Sequence, residues 1–301
     1  KFMQILWSTT FRPFGIDKFN DKIQYKFLKS IKQSKLSIHL SVTQFDDINV
    51  FKTIKKYRVK FSYFNFPKKK LPKNKKYSSK VMLMNSLKYY LKNYNNYKYF
   101  VYSTVDIVVP KKLFNYLEND KKTNKLYLIF PNTLIKNNKS SYIPYPYFGI
   151  DLMIFKIDKN KLIKFKKLVS NWKQYDWGIN DNFLISVADY LDLKIENLYK
   201  DFKILKYENP FASFNESRDW QIKSWKYNAK YYYKFLKKFK ISFLYYYGSF
   251  YYLAFKIFRF KDLNIKLIIS YFILSYILIK NLIIKLFSIY KFYIIKKKFY
   301  N

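Results

Sequence analysis

Cysteine is absent from this 301-residue chain. Neither a disulfide framework nor a thiolate metal site can form, and a cytoplasmic setting is compatible with that absence. Glycine occurs four times, and the single histidine is His39. These shortages leave no glycine-rich phosphate loop, no Ser-His-Asp set and no helix with paired histidines. Acidic residues are also scarce, 19 against 59 Lys+Arg, for a formal net charge of +40. Such a charge suits nucleic acid or an anionic membrane. Arginine, however, stands only at 12, 58, 218 and 259, so almost all the positive charge is lysine. A dedicated nucleic-acid reader favours the bidentate fork of arginine, and no specific nucleic-acid partner is expected. Lys, Asn, Ile, Phe and Tyr are abundant together. All have A/T-rich codons, so mutational bias accounts for part of the basic excess. In this background an acid that closes an apolar strand stands out.

Half of the residues are hydrophobic and 23% are aromatic, enough for a large buried core. Residues 2–7 read as a short buried strand that stops at Ser8-Thr9-Thr10. Helical spacing follows over 20–34, alternation over 36–42, and another strand pattern over 59–66. Residues 81–94 read as a helix, and 99–106 as a strand ending in Ser103-Thr104-Val105-Asp106. Pro110 opens a helix over 111–118, and a strand over 126–130 precedes a polar loop over 131–146. A strand over 148–155, a Lys-rich helix over 159–171 and an apolar helix over 182–191 complete the pattern. Strands alternating with helices predict an α/β sandwich. His39 falls inside a strand pattern and reads as a packed residue. The chain starts without Met or a secretory leader, which suits a fragment or a processed protein.

The order of these segments resembles the GT-A glycosyltransferase superfamily. The resemblance covers roughly residues 1–215 and rests on three segments: Thr104-Val105-Asp106, Phe148-Gly149-Ile150-Asp151, and Trp177-Gly178-Ile179-Asn180-Asp181. It implies a Rossmann-like α/β/α sandwich with a mixed central sheet and a nucleotide site at the strand ends. Thr104-Val105-Asp106 corresponds to the family's D-x-D, with the first acid replaced. The resemblance places Mn2+ or Mg2+ at Asp106 on the donor diphosphate, because hard cations want oxygen ligands. Thr104 offers only a hydroxyl there, and no histidine follows residue 39 to serve as a late ligand.

By the same resemblance Trp7, Ser8, Thr9, Arg12 and Asp47 contact the nucleotide. Gly149 allows close backbone approach to the acceptor, and Trp177 and Asn180 line its site. Asp151, on the strand that brings residues to the acceptor, is a second expected catalytic acid. Asp181 is the expected general base for the acceptor hydroxyl. Asp106, Asn180 and Asp181 are also good caps for the turn or helix that follows each.

Residues 1–230 read as the catalytic domain and 231–301 as an aromatic, Lys-rich helical segment. Leu267–Ile279 is shorter than the about 20 apolar residues of a spanning helix. At about 100° per residue Lys266, Lys280, Lys291 and Lys298 share one sector, which suits a helix lying on an anionic membrane. The expected protein is a glycosyltransferase at the cytoplasmic face of a membrane, with a nucleotide-sugar donor and a glycan or glycolipid acceptor. Two alternatives are a non-enzymatic basic membrane- or nucleic-acid-binding protein, and a nucleotidyltransferase on a related fold.

Overall fold

The computed structural model describes residues 4–34, 37–44, 48–65, 79–136, 139–142, 150–172, 180–199, 201–207 and 228–242, with scattered helical positions between 265 and 287. A first stretch runs β1 (Gln4–Thr9), α1 (Lys18–Lys32), β2 (Ser37–Gln44), α2 (Ile48–Lys56), β3 (Lys60–Asn65) and α3 (Ser79–Lys92). Next come β4 (Tyr99–Ser103), β5 (Ile107–Val108), α4 (Lys111–Asn119), β6 (Lys125–Ile129), β7 (Thr133–Lys136) and β8 (Lys139–Tyr142). Then follow β9 (Leu152–Lys156), α5 (Lys159–Asn171), α6 (Asn180–Tyr190), β10 (Lys194–Asn197) and β11 (Leu205–Tyr207). A further helix, α7, spans 228–239.

The central sheet has seven strands in the order β10-β6-β9-β4-β1-β2-β3. Only β9 runs against its neighbours; β1, β2, β3 and β4 are mutually parallel, as are β6 and β10. Strands β4, β6 and β9 are buried along their whole length, because helices cover both faces. Alternation divides their side chains. Phe100, Tyr102, Leu126 and Leu128 meet α3, α5, α6 and α7 through Leu87, Phe165, Phe183 and Tyr232. Tyr99, Val101, Tyr127 and Ile129 meet α1, α2 and α4 through Phe27, Ile54 and Phe114 on the other face. This is the expected Rossmann-like α/β/α sandwich with a mixed sheet. The boundary expected near residue 230 falls inside α7, whose Tyr232, Phe235 and Leu236 are buried in the first of these cores.

Two departures from the sequence pattern bear on the site. The expected polar loop over 131–146 contains β7 and β8, an antiparallel pair in a second sheet ordered β5-β11-β7-β8. Every residue of β8 is exposed, so it carries no apolar alternation to announce it. The strand expected to reach Asp106 ends at Ser103, and the chain bends there before β5.

Candidate active site

β1 leads to β2 and β3 on one side, while β4 lies on its other side. The crevice at the carboxyl ends of β1 and β4 is therefore a topological switch point, where open α/β sheets bind ligands. The chain brings three acids and a lysine to this edge. Asp106 arrives in the bend after β4, and Asp151 immediately before the antiparallel β9. Asp181 comes in the first turn of α6, and Lys206 at the middle of β11.

Lys206 ties the acids together. Its Nζ stands 2.6 Å from Asp151 Oδ1 and 3.6 Å from Asp106 Oδ2. Two ladders hold it in place, β11 pairing antiparallel to β5 and parallel to β7. Tyr207 N donates to Asp106 O at 2.8 Å, so the same strand fixes the backbone of the bend. Asn132 secures the approach to β11: its amide donates to the carbonyls of Tyr199 and Phe202, and its Oδ1 accepts from Ile204 N.

Burial pushes the Asp151 carboxyl up; the Lys206 ammonium opposes that and the Asp106 charge adds to it. Asp181 is raised to about 7, first by desolvation of a carboxylate enclosed in protein. The Ile150 amide, donating to Oδ2 at 3.1 Å, and Lys206 both lower it, while Asp151 raises it. Asp106 is more open, with its side chain 36% exposed. Thr104 N donates to Asp151 O at 3.1 Å, joining the bend after β4 to the start of β9. Among the described residues Thr104 Oγ1, Asp106 Oδ1 and Asp151 Oδ2 are buried oxygens without a hydrogen-bond partner. Water, an ion or a bound molecule partners such atoms in folded proteins.

The first loop behaves differently from the carboxylates. Trp7 is 1% exposed and donates its indole N–H to Ser103 Oγ at 2.6 Å. Ser8 Oγ donates to Ser86 Oγ, and Thr9 Oγ1 to the Ser103 carbonyl. β1 runs two residues beyond its expected end, so these side chains turn into the fold: Trp7 and Thr9 brace β4, and Ser8 braces α3. Arg12 is exposed and donates to Asn20 Oδ1 at 3.1 Å. Asp47, Gly149 and Trp177 lie outside the described residues, and Asn180 is described only as the first residue of α6. Thus Thr104, Asp106, Asp151 and Asp181 come together. Lys206 joins them without any signal in the sequence, being one lysine among many in a three-residue strand. An open groove of about 450 Å³ along α1, lined by Lys18, Lys22, Lys26 and Tyr57 among others, contains none of these acids.

No family profile and no curated protein matches the chain. Solved structures do. A putative nucleotide-diphospho-sugar transferase from Desulfovibrio desulfuricans G20 is 11% identical with a TM-score of 0.42, covering 74% of this chain and 97% of its own. The inositol-1-phosphate CTP transferase of T. maritima is 12% identical with a TM-score of 0.43, covering 74% and 96%. A 4-diphosphocytidyl-2C-methyl-D-erythritol synthase is 7% identical with a TM-score of 0.42, covering 74% and 99%.

Proposed function

We propose that the chain is a nucleotide-sugar-dependent glycosyltransferase acting on a surface-glycan or lipid-linked acceptor. The observation that carries this reading is the gathering of Asp106, Asp151 and Asp181 around Lys206 at the β1/β4 switch point. In the proposed reaction the donor phosphate lies at the bend of Thr104 and Asp106. An acceptor hydroxyl attacks the anomeric carbon as the bond from that carbon to the phosphate oxygen breaks. The electron pair leaves with the nucleotide, and the hydroxyl proton passes to Asp181. A base that titrates at about 7 is matched to that task near neutral pH. Asp151 Oδ2, buried and without a partner among the described residues, accepts from a sugar hydroxyl.

The same base favours this reading over nucleotidyl transfer. In that reaction a sugar phosphate is the nucleophile, already ionised at neutral pH, and needs no carboxylate to take its proton. Incubation with UDP-, GDP- and CMP-sugars and a glycan panel tests the proposal. Release of the nucleotide with transfer or hydrolysis of the sugar is expected. Formation of a nucleotide-sugar with release of pyrophosphate from CTP or UTP would instead identify a nucleotidyltransferase.

We place the acceptor at an anionic membrane on the cytoplasmic side. Among the described helical positions between 265 and 287, Ile265, Phe272, Tyr276, Leu282 and Phe287 are each more than half exposed. Lys280 is exposed among them. Exposed apolar side chains interrupted by lysine suit a helix lying in the headgroup region. No described helix is long and apolar enough to cross a membrane. Flotation with phosphatidylglycerol vesicles, lost on changing Phe272 and Phe287 to Ser, is the expected result. Equal flotation of both proteins would remove the membrane from this reading.

A further inference from the structure

The resemblance to GT-A enzymes calls for a divalent cation at Asp106, and the surroundings of Asp106 do not fit one. A hard cation bound there would draw on Asp106 and Asp151, at about 2.0–2.6 Å from their oxygens. An ammonium already holds both acids, at 2.6 Å from one and 3.6 Å from the other. It sits on a strand paired on both edges, and a cation placed between the same carboxylates would meet its repulsion. Among the described residues no group of three or more His, Cys, Asp or Glu is placed to hold a metal. Thr104 replaces the acid that would complete the pair in D-x-D.

We infer that Lys206 is the resident cation of this site. Its ammonium donates to the donor phosphate while Asp106 and Asp151 hold it in place, and nucleotide binding needs no divalent metal. The inference rests on the transferase reading and adds how charge is managed within it. As the bond from anomeric carbon to phosphate oxygen breaks, negative charge grows on that oxygen, and a fixed positive charge lowers its energy. The only proton moved is the one that Asp181 receives. Asp106 and Asp151 orient the ammonium, and Asp151 keeps its second oxygen for a sugar hydroxyl.

The test is calorimetric titration of the full chain with UDP, GDP and CMP, once in excess EDTA and once in Mn2+. At least one nucleotide is expected to bind with a Kd that differs by less than about threefold between the two buffers. In EDTA, Lys206→Met should weaken it by about 10- to 100-fold, as expected when a hydrogen bond to a charged group is lost. Lys206→Arg should stay within about tenfold of the parent, and Lys139→Ala, which removes an exposed lysine of β8, should leave Kd unchanged. Binding that appears only with Mn2+ overturns the inference and leaves the transferase reading standing. Lys206→Met binding as the parent does in EDTA would overturn it equally. Should no nucleotide bind in either buffer, the transferase reading itself fails. The comparison of buffers uses the parent chain alone, so it decides the matter even if Lys206→Met does not fold.

Discussion

The amide of Ile150 donates to Asp181 Oδ2 at 3.1 Å, joining two residues 31 positions apart. The contact sets the acid at the head of α6 against the residue that precedes Asp151. It also stabilises the ionised form, yet desolvation dominates and lifts the carboxyl to about 7.

As general base, Asp181 must be ionised to act. The rate of sugar transfer should therefore rise through pH 7 and level off above it. Asp181→Asn keeps an acceptor for Ile150 N but takes up no proton. It should lower turnover by about 10²–10⁴-fold while nucleotide affinity stays within a few-fold. A pH–rate profile of the parent and nucleotide titration of the variant are the measurements. A flat profile over pH 5–9 in the parent would remove Asp181 from this role.

The same carboxyl opposes folding at high pH. Its folded value lies above its ordinary 3.8, so the native state holds the proton more tightly than the unfolded chain. Stability contributed by the protonated acid is full below about pH 4 and is lost as pH rises towards 7. Carrying the ionised form above that costs up to about 4 kcal/mol. Asp181→Asn should therefore melt higher than the parent at pH 8, by roughly 4 °C or more, with no gain at pH 4. Calorimetric melts at the two pH values check this.

A second buried charge group lies at the opposite end of the central strands, where β6 begins and β9 ends. Burial alone would push Asp120 up, but hydrogen bonds from Tyr127, Lys156 and Lys125 hold it far below the ordinary carboxylate range. Lys125 Nζ and Lys156 Nζ stand 3.2 and 3.0 Å from its oxygens, and both lysine side chains are almost wholly buried. Replacing Asp120 by Ala strands the buried Lys156 ammonium and leaves Lys125 with Glu196 alone. The expected loss is about 3–5 kcal/mol, read from urea unfolding at pH 7. A loss below about 1 kcal/mol would show that water compensates the lysines.

His39 supplies a pH dependence of opposite sense. It is buried, its Nδ1 lies 2.6 Å from Tyr97 Oη and its Nε2 2.9 Å from Ser62 Oγ. Desolvation first, and Lys60 second, lower it to about 4. The unfolded chain then binds a proton near pH 6.5 that the native state refuses, so stability falls as pH drops from 6.5 to 4. The span bounds the effect at about 3 kcal/mol. His39→Gln should flatten this limb of a stability–pH curve, and an unchanged slope would assign the acid sensitivity elsewhere.

Apolar periodicity made most of the sandwich legible, because parallel strands covered on both faces and amphipathic helices each leave a strong pattern. Asp106 was legible as an acid closing an apolar strand in a chain poor in acids, whereas Asp151 and Asp181 were picked out only by the resemblance to GT-A enzymes. Lys206 was not, since a lysine-rich background hides one functional lysine and three residues are too few for a period. Asp120, two residues past the helix expected over 111–118, gave no signal, because Lys125 and Lys156 meet it only through strand pairing. Trp7 shows a third kind of gap. Polar residues after an apolar run signalled a strand end, yet Ser8 and Thr9 continue β1 because buried hydrogen-bond partners on neighbouring elements satisfy them.

β9 is only five residues long, and it is clamped at both ends. Asp151, just before it, is held by Lys206; Lys156, its last residue, is held by Asp120. At about 3.3 Å per residue the two clamps stand about 17 Å apart on one nearly inextensible rod. The rod has almost no axial play: sliding by one residue would break both ion pairs and send Met153 and Ile154 to the wrong faces. The far clamp therefore works as a gauge for the near one. A substitution at Asp120, remote from any substrate, should broaden the range of positions open to Asp151 and surface as a change in turnover as well as in stability.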